Sequence, residues 1–274
     1  QADYVVIGAP FDITSTYRTG ARFAPLAIRE ASLNIETYSF RTGLDVEKLK
    51  IHDMGDLHTT SDTDETLKRL TLVTKDILNA QKTPVIIGGE HTITLGTTKA
   101  LDIKTAIIDF DAHLDLRNEY MNLKTSHTTF MRRINEQKHP NIIIEIGTRA
   151  VCQEELNYAR KAGIKIFTTQ QIQKTGTQKT INTLKKTLTA CESIYLTIDT
   201  DVLDPAYAPA VQNPEPDGLS IEVFFDMLQG LCDDRIIALD LVEVAPHYDT
   251  GATAALAAKT LFEVICNIEK ARKT

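Results

Sequence analysis

The amino-acid sequence predicts a doubly wound α/β fold with a mostly parallel sheet at its centre. Short apolar segments recur along the chain, and several of them, such as VIIGG at 85–89 and NIIIEIG at 141–147, are nearly continuous apolar runs. Strands that are buried on both faces have this composition, which is typical of parallel sheets covered by helices. Amphipathic segments lie between these runs, as expected of an α/β protein.

Eight strands are predicted from the apolar runs. In chain order they are Tyr4–Gly8, Lys50–His52, Pro84–Gly88, Thr105–Asp111, Asn141–Gly147, Ile164–Thr168, Ser193–Asp201 and Arg235–Val244. Helices with clear bounds are predicted at Ser61–Gln81, Ser220–Leu231 and Ala254–Ala271. The first helix opens with serine and acidic residues, and its apolar residues then recur at helical spacing. Because the chain has no flexible linker and no internal repeat, we expect a single domain over residues 1–274.

The composition limits the classes of protein to which the chain can belong. Of its 274 residues, 42% are hydrophobic and 24% are charged, which supports a sizeable core and excludes a disordered chain. The net charge of −7 and the lack of a basic run predict no nucleic acid and no membrane as partner. Four widely spaced cysteines without a CxxC pair indicate a reducing, cytoplasmic location.

The segment DFDAHLD at 109–115 is the most informative part of the sequence. Asp109, Asp111, His113 and Asp115 alternate with apolar residues, so in an extended backbone they project from one face at intervals of about 6.5–7 Å. Carboxylates this close repel one another unless a cation compensates their charge. Such ligands suit Mn²⁺ or Mg²⁺, with Zn²⁺ as an alternative. The competing interpretation is a solvated strand end whose aspartates form turns.

Other predicted strands also end in potential ligands. Asp199 and Asp201 follow one strand, His91 follows the glycine pair of another, and Glu243 lies at the end of the last. The carboxyl ends of parallel strands meet at one edge of a sheet, where ligands bind in open α/β folds. Six residues are enough for two metal ions if some carboxylates bridge, namely His91, Asp111, His113, Asp115, Asp199 and Asp201. The pattern indicates a binuclear hydrolase site, in which two metals activate a water molecule.

These residues lie in motifs that resemble those of the ureohydrolases, the arginase and agmatinase family. The motifs are GAPFD (8–12), RTGARFAP (18–25), GGEHT (88–92), DFDAHLD (109–115), SHTTF (126–130), IDTDVLDPAYAP (198–209), NPEPDGLS (213–220) and LDLVEVAP (239–246). They occur in the family's order between about residues 4 and 250. The resemblance implies a three-layer α/β/α sandwich with an eight-stranded, mostly parallel sheet. It also implies assembly into homotrimers or homohexamers.

The resemblance further implies two Mn²⁺ ions as cofactor and assigns a role to each site residue. One ion would take His91, Asp111, Asp115 and Asp199, and the other would take His113, Asp111, Asp199 and Asp201. Asp111 and Asp199 would bridge, whereas Asp109 would stay outside both ligand sets. The catalytic residues would be His127 as proton shuttle, Asp201 as hydrogen-bond acceptor for the metal-bound hydroxide, and Glu243 as partner of the substrate guanidinium.

Within the family, the sequence is most like an agmatinase. Arginases carry an acidic pair after the IG-x-R motif to hold the substrate amino acid, whereas here Arg149 is followed by Ala150, Val151 and Cys152. We therefore expect hydrolysis of agmatine to putrescine and urea, a step of polyamine biosynthesis. The chain departs from common agmatinases at residues 210–213 (Ala-Val-Gln-Asn) and at Asp217, which replace a glycine-rich segment and a further glycine near the substrate mouth.

Other functions stay open at this point. Alternative substrates to agmatine are N-substituted agmatine, guanidinobutyrate, arginine and formiminoglutamate. A different class of protein would be a catalytically silent binding protein stabilised by metal, and a metal-dependent deacylase or phosphatase is a further alternative. Glu243 favours a guanidinium substrate over both.

Overall fold

The centre of the molecule is an eight-stranded sheet in which every neighbouring pair of strands is parallel. The computed structural model describes residues 2–102 and 104–273. Its strands are β1 (Tyr4–Ala9), β2 (Tyr38–Ser39), β3 (Leu44–Asp45), β4 (Ile51–Asp56), β5 (Thr83–Gly88), β6 (Ala106–Phe110), β7 (Ile143–Thr148), β8 (Lys165–Thr168), β9 (Ile194–Asp199) and β10 (Ile236–Val242). The strand order of the large sheet is β4-β1-β5-β10-β9-β6-β7-β8. The predicted eight-stranded α/β fold is confirmed.

Helices cover both faces of this sheet. They are α1 (Ala24–Ser32), α2 (Thr63–Asn79), α3 (Ile93–Thr98), α4 (Phe130–Lys138), α5 (Gln153–Ala162), α6 (Thr169–Thr175), α7 (Thr177–Thr187), α8 (Ile221–Leu231) and α9 (Ala252–Arg272). The core beneath α1 and α6–α9 is one apolar cluster, and α2–α5 pack on separate clusters on the opposite face. This arrangement is the three-layer sandwich that the motifs imply.

The helix starts follow the local sequence. Asp62 accepts a hydrogen bond from the Glu65 amide at 3.1 Å, so α2 begins at Thr63, two residues later than predicted. Ser220 accepts from the Val223 amide at 3.3 Å and caps α8 at its predicted position. Both are side-chain caps that satisfy amides left free in the first turn.

Several strand ends differ from their predicted bounds. The last strand stops at Val242 because Glu243 has a φ of 68°, which an extended strand does not allow. The strand before it stops at Asp199, and the next three residues form a 3-10 turn in which the Asp199 carboxylate accepts from the Asp201 amide at 2.8 Å. In contrast, β4 runs on to Asp56 as a largely exposed edge strand, and the two-residue strands β2 and β3 were not predicted.

The strand order places the site residues. The four adjacent central strands β5, β10, β9 and β6 all end at the same edge of the sheet, and the predicted site residues follow them. Among the described residues, no helix has the length and apolar character needed to cross a membrane.

Candidate metal centre and active site

His91 lies at the centre of a group of buried aspartates. Its Nδ1 atom is 3.2 Å from a carboxylate oxygen of Asp111, 3.2 Å from one of Asp199 and 3.7 Å from one of Asp115. The His91 side chain is fully buried, and all three aspartates are buried as well. Residues that follow β5, β6 and β9 are therefore brought together around one imidazole nitrogen.

His113 forms a second group beside the first. Its Nδ1 atom is 3.1 Å from Asp201 and 3.4 Å from Asp111, so Asp111 faces both histidines through different oxygens. The other ring nitrogen of His113 is 3.9 Å from the half-exposed Glu215. All six predicted metal-binding side chains thus lie in one connected cluster, with Asp111 between its two halves.

The electrostatics of the cluster favour a bound cation. Burial and neighbouring carboxylates raise the pKa values of Asp115 and Asp199 well above the usual range. Burial alone would lower the pKa of His91, but Asp109, Asp111 and Asp115 outweigh it and raise that pKa strongly. Burial would raise the pKa of Asp111, whereas the nearby imidazoles of His113 and His91 hold it well below its usual value. Without a bound cation, the raised pKa values of His91, Asp115 and Asp199 favour protonation, which reduces the negative charge of the cluster.

The donor set fits divalent cations. Among the described residues, two groups of side chains have ligand atoms close enough to hold an ion, namely His91 with Asp109 and Asp111, and Asp111 with His113 and Asp201. The His91 Nδ1 and Asp111 Oδ2 atoms are buried without a hydrogen-bond partner, as unused ligand atoms would be. Both groups contain imidazole and carboxylate but no thiol, which suits Mn²⁺ or Mg²⁺ better than a structural zinc ion.

Asp109 lies on the other side of the His91 ring. Its carboxylate is 3.9 Å from Nε2, whereas Asp111, Asp115 and Asp199 face Nδ1. The Nε2 atom is also 2.8 Å from the hydroxyl of Thr197, which fixes the ring orientation. Asp109 thus contacts His91 from the opposite side of the ring, and its exclusion from the ligand sets stays a prediction.

Asp109 belongs to a polar row that the sequence analysis did not identify. In the strand register, Glu145 pairs with Asp109, Asp109 with Thr197 and Thr197 with Asp240, so the row crosses β7, β6, β9 and β10. All four side chains are buried. Asp240 accepts hydrogen bonds from Tyr195 and, at 2.6 Å, from Thr94. Asp109 and Thr197 come two residues before Asp111 and Asp199 along the chain, so this row of polar side chains lies next to the site on its sheet side.

Glu243 lies between the His and Asp cluster and His127. One of its oxygens accepts from the His91 amide at 2.6 Å and lies 3.9 Å from Nδ1 of His127, while the other is buried without a partner. Burial is the main reason why the pKa of Glu243 is raised well above its usual range. Glu243 and Asp115 both have positive φ values, 68° and 49°. Such backbone conformations are uncommon for residues other than glycine and concentrate at functional sites.

His127 is a buried imidazole with a free nitrogen. Its Nε2 atom has no hydrogen-bond partner, and only 5% of the residue is exposed. Burial, together with His113 and His91, lowers its pKa to about 4. The ring is therefore neutral at pH 7 in the metal-free protein.

Arg149 holds the loops that carry Asp201 and Glu215. Its guanidinium donates to the backbone carbonyls of Asp201 at 2.7 Å, Glu215 at 2.8 Å and Pro216 at 2.9 Å. Because all five guanidinium donors can be used this way, one arginine fixes two loops at the rim of the site. This is a structural role.

Two further residues escaped the sequence analysis although their motifs were recognised. Glu90 lies beside His91 in GGEHT, and Asp240 lies in LDLVEVAP. Both are fully buried acids that accept hydrogen bonds from several side chains. Asp240 could have been identified as a buried acid because it interrupts an otherwise apolar strand, whereas no local sequence pattern indicated that Glu90 is buried.

Comparisons with known proteins agree with this geometry. The model of the Arginase family matches residues 2–266. The agmatinase of Pyrococcus horikoshii is 34% identical over 97% of this chain and 92% of its own length, and the N(1)-aminopropylagmatine ureohydrolase of Thermococcus kodakarensis is 34% identical over 96% and 89%. The crystal structure of the agmatine ureohydrolase of Thermoplasma volcanium superimposes with a TM-score of 0.93 at 35% identity, covering 99% of this chain and 92% of that one.

The predicted resemblance to ureohydrolases, and to agmatinases in particular, is confirmed by these matches. They cover nearly the whole chain and include the strands that carry the His and Asp cluster. The chain belongs to the arginase family and is a hydrolase that acts on guanidino carbon–nitrogen bonds.

Proposed function

We propose that this protein is a manganese-dependent agmatinase that hydrolyses agmatine to putrescine and urea. The observation that carries the proposal is the position of Glu243, a buried carboxylate with one unpartnered oxygen, between His91 of the cluster and His127. A buried acceptor without a partner is costly, and a planar guanidinium with several N–H donors satisfies it. The same family relationship supports a guanidine as substrate.

The proposed ligands are the six residues of the cluster. His91, Asp111, Asp115 and Asp199 would hold one ion, and His113, Asp111, Asp199 and Asp201 would hold the other, with Asp111 and Asp199 shared. When bound, two divalent ions supply a water molecule of lowered pKa as the nucleophile. Manganese is proposed over magnesium because each ion would have an imidazole ligand, which transition metals accept more readily.

Glu243 would orient the substrate. A guanidinium remains protonated at any physiological pH, and a carboxylate pairs with it through parallel hydrogen bonds. The His91 amide fixes one oxygen of Glu243 at 2.6 Å, so the carboxylate is already held in one orientation before substrate binds. Such preorganisation aligns the guanidinium carbon with the nucleophile.

His127 would carry the proton that the departing amine needs. Its Nε2 atom has no hydrogen-bond partner and lies on an imidazole, a group that can accept a proton and then donate it. Asp201 would accept a hydrogen bond from the nucleophile, since one of its oxygens is already fixed by the Ala112 amide at 3.2 Å.

The residues around the site favour agmatine over arginine. No acid occupies positions 150–152, which follow β7, so a substrate amino acid group would lack the acidic pair that arginases use there. An N-substituted agmatine is the second candidate, because the aminopropylagmatine ureohydrolase of Thermococcus kodakarensis is as similar to this chain as the agmatinase of Pyrococcus horikoshii.

Urea release from a panel of guanidines tests the substrate. The protein, reconstituted with Mn²⁺ and analysed for metal content, would be assayed with agmatine, aminopropylagmatine, guanidinobutyrate and arginine, and formiminoglutamate would be assayed by formamide release. We expect the highest kcat/KM with agmatine and two manganese ions per chain. Arginine turnover at a comparable rate would contradict the proposed substrate, and a manganese-loaded protein that hydrolyses none of these compounds would support a silent binding protein instead.

Two further expectations belong to this proposal. Large apolar side chains are exposed on and around α1, including Tyr17, Leu26, Leu33 and Phe40, which supports association of several copies of the chain. Light scattering would test for homotrimers or homohexamers. All four cysteines are free thiols, three of them buried, which supports a reducing, cytoplasmic environment.

A further inference from the structure

The loop at residues 10–16 contains none of the residues to which the family resemblance assigns a role. This loop follows β1. Ile13 and Thr14 both contact Glu90, the acid that immediately precedes His91. Thr14 in turn contacts His127. Three segments that are far apart in the sequence therefore meet at one buried threonine.

Glu90 is saturated with hydrogen bonds from this region. Its Oε2 atom accepts from the amides of Ile13 at 2.8 Å and Thr14 at 2.7 Å, and its Oε1 atom accepts from the hydroxyls of Thr14 and Thr92, both at 2.6 Å. The residue is fully buried. Four donors on one buried carboxylate leave the loop little freedom, since each lost bond would leave a buried group unpaired.

Besides Glu90, the hydroxyl of Thr14 contacts the Thr92 hydroxyl at 3.2 Å and the His127 amide. Because its hydrogen is directed to Glu90, its oxygen is free to accept, and the His127 amide donates to it at 3.1 Å. Thr14 and His127 are 6% and 5% exposed, so no solvent replaces this bond. The backbone at His127 is therefore fixed by Thr14, and Thr14 is fixed by Glu90.

We propose that Thr14, held by Glu90, is a positioning residue for the His127 imidazole. This inference rests on the proposed role of His127 as proton carrier. The side chain of His127 extends from a backbone that the Thr14 hydroxyl anchors, and proton transfer depends steeply on the placement of the imidazole. Loss of that anchor should reduce kcat, while substrate binding through Glu243 and metal binding should persist.

The test compares three variants in the manganese-loaded protein. Thr14→Val keeps the shape of the side chain but removes the hydroxyl, and Thr14→Ser keeps the hydroxyl. Thr92→Val is the matched control, because it removes the other hydroxyl that donates to the same Glu90 oxygen, and its contact with the Thr14 hydroxyl at 3.2 Å, but leaves the bond between Thr14 and the His127 amide in place. We expect Thr14→Val to lower kcat about tenfold with KM and manganese content unchanged, and Thr14→Ser and Thr92→Val to retain at least half of kcat.

A second comparison shows whether the effect passes through His127. In a His127→Asn background, Thr14→Val should change kcat by less than twofold, because the imidazole that it positions is gone. A tenfold loss in that background, an equal loss in Thr92→Val, or full activity of Thr14→Val would each overturn the inference.

Amide hydrogen exchange provides a readout that does not need turnover. In the metal-free protein, exchange at the His127 amide should be at least tenfold faster in Thr14→Val than in the parent or in Thr14→Ser. Unchanged exchange in a folded Thr14→Val protein would overturn the inference, and should that variant not fold, Thr14→Ala gives the same comparison. A parent protein that hydrolyses no guanidine would contradict the proposed function, while the exchange result would still decide whether Thr14 anchors His127.

Discussion

The two faces of the central sheet differ although the same strands build both. On the face beneath α1 and α6–α9, β6 contributes Ile108 and Phe110 and β9 contributes Leu196 and Ile198, all part of one apolar cluster. On the opposite face, β6 and β9 contribute Ile107 and Tyr195 to a separate apolar cluster, but towards the site their positions are Asp109 and Thr197, which make this end of the sheet its polar face. The apolar face and the polar face are thus separated by single residues along each strand.

This difference shows that one face of the sheet mainly stabilises the fold, whereas the other positions the side chains of the candidate site. The apolar face is filled with side chains whose burial favours folding. The polar face buries Glu145, Asp109 and Asp240 next to the metal cluster, and buried acids cost free energy unless they are paired or protonated. We therefore expect changes on the apolar face to act on folding and changes on the polar face to act on metal binding, catalysis and pH dependence.

The largest effect is expected at Asp111, which joins the two halves of the cluster. Asp111→Asn removes the charge that faces both His91 and His113, so we expect loss of bound manganese and a decrease in kcat/KM of at least about 1,000-fold. Metal analysis and urea release measure this. Asp226→Asn, at an exposed aspartate of α8, is the control and should leave both unchanged. A manganese-replete, active Asp111→Asn protein would contradict the ligand assignment.

Phe110 tests the apolar face. The ring is fully buried and packs edge-on against Phe224 with centroids 5.6 Å apart, so Phe110→Ala should lower the free energy of unfolding by about 3–5 kcal/mol. Denaturant unfolding of the metal-free protein measures this loss. The folded variant should still bind two manganese ions at low temperature, because the polar face is not altered. Loss of metal from folded protein would show that the two faces are not independent.

His127 should make stability depend on acid pH. Its folded pKa of about 4 is below the ordinary value near 6.5, so the unfolded chain binds the proton more tightly and stability falls as the pH drops from about 6.5 to 4. Relative to His127→Asn, the metal-free parent should lose roughly 2 kcal/mol between pH 7 and pH 5. Parallel unfolding curves at the two pH values test this, and an equal loss in both proteins would refute it.

Glu145 should have the smallest effect and the opposite pH dependence. Burial, followed by the charges of Asp111 and Asp115, raises the pKa of Glu145, so its contribution to stability is lost as the pH rises from about 4.3 towards the folded pKa. Glu145→Gln should change the unfolding free energy by less than about 1 kcal/mol at pH 5 and weaken the decline between pH 5 and pH 8. An unchanged decline would mean that other groups cause it.

Much of the fold could be predicted because buried parallel strands have a strong apolar signal. The edge strand β4 shows the limit, since its mostly exposed residues 53–56 lack that signal and its extent depends on pairing with β1. The strand order was not predictable from the apolar pattern, because each run is compatible with several neighbours. The apolar runs predicted the α/β fold class, and only the family resemblance predicted the arginase-type three-layer arrangement.

The candidate site was predictable to a similar degree. The alternation of acids and histidine in 109–115 predicted a cluster, but it could not separate Asp109 from Asp111, which share one face of the strand. Their difference depends on which nitrogen of His91 each one faces, and that is set by Thr197 on the neighbouring strand. The Glu90 contacts with Thr14 join residues 76 positions apart and have no local sequence pattern.

The place of β10 in the sheet has a consequence for synthesis of the protein on the ribosome. This strand is the last in the chain, yet it lies between β5 and β9 and is the sole link between the two halves of the sheet within the described residues. His91 follows a strand of one half, whereas Asp111 and Asp199 follow strands of the other. Nascent chains that end before residue 236 therefore lack the strand that joins these two halves, and the His and Asp cluster can assemble only after β10 has been translated.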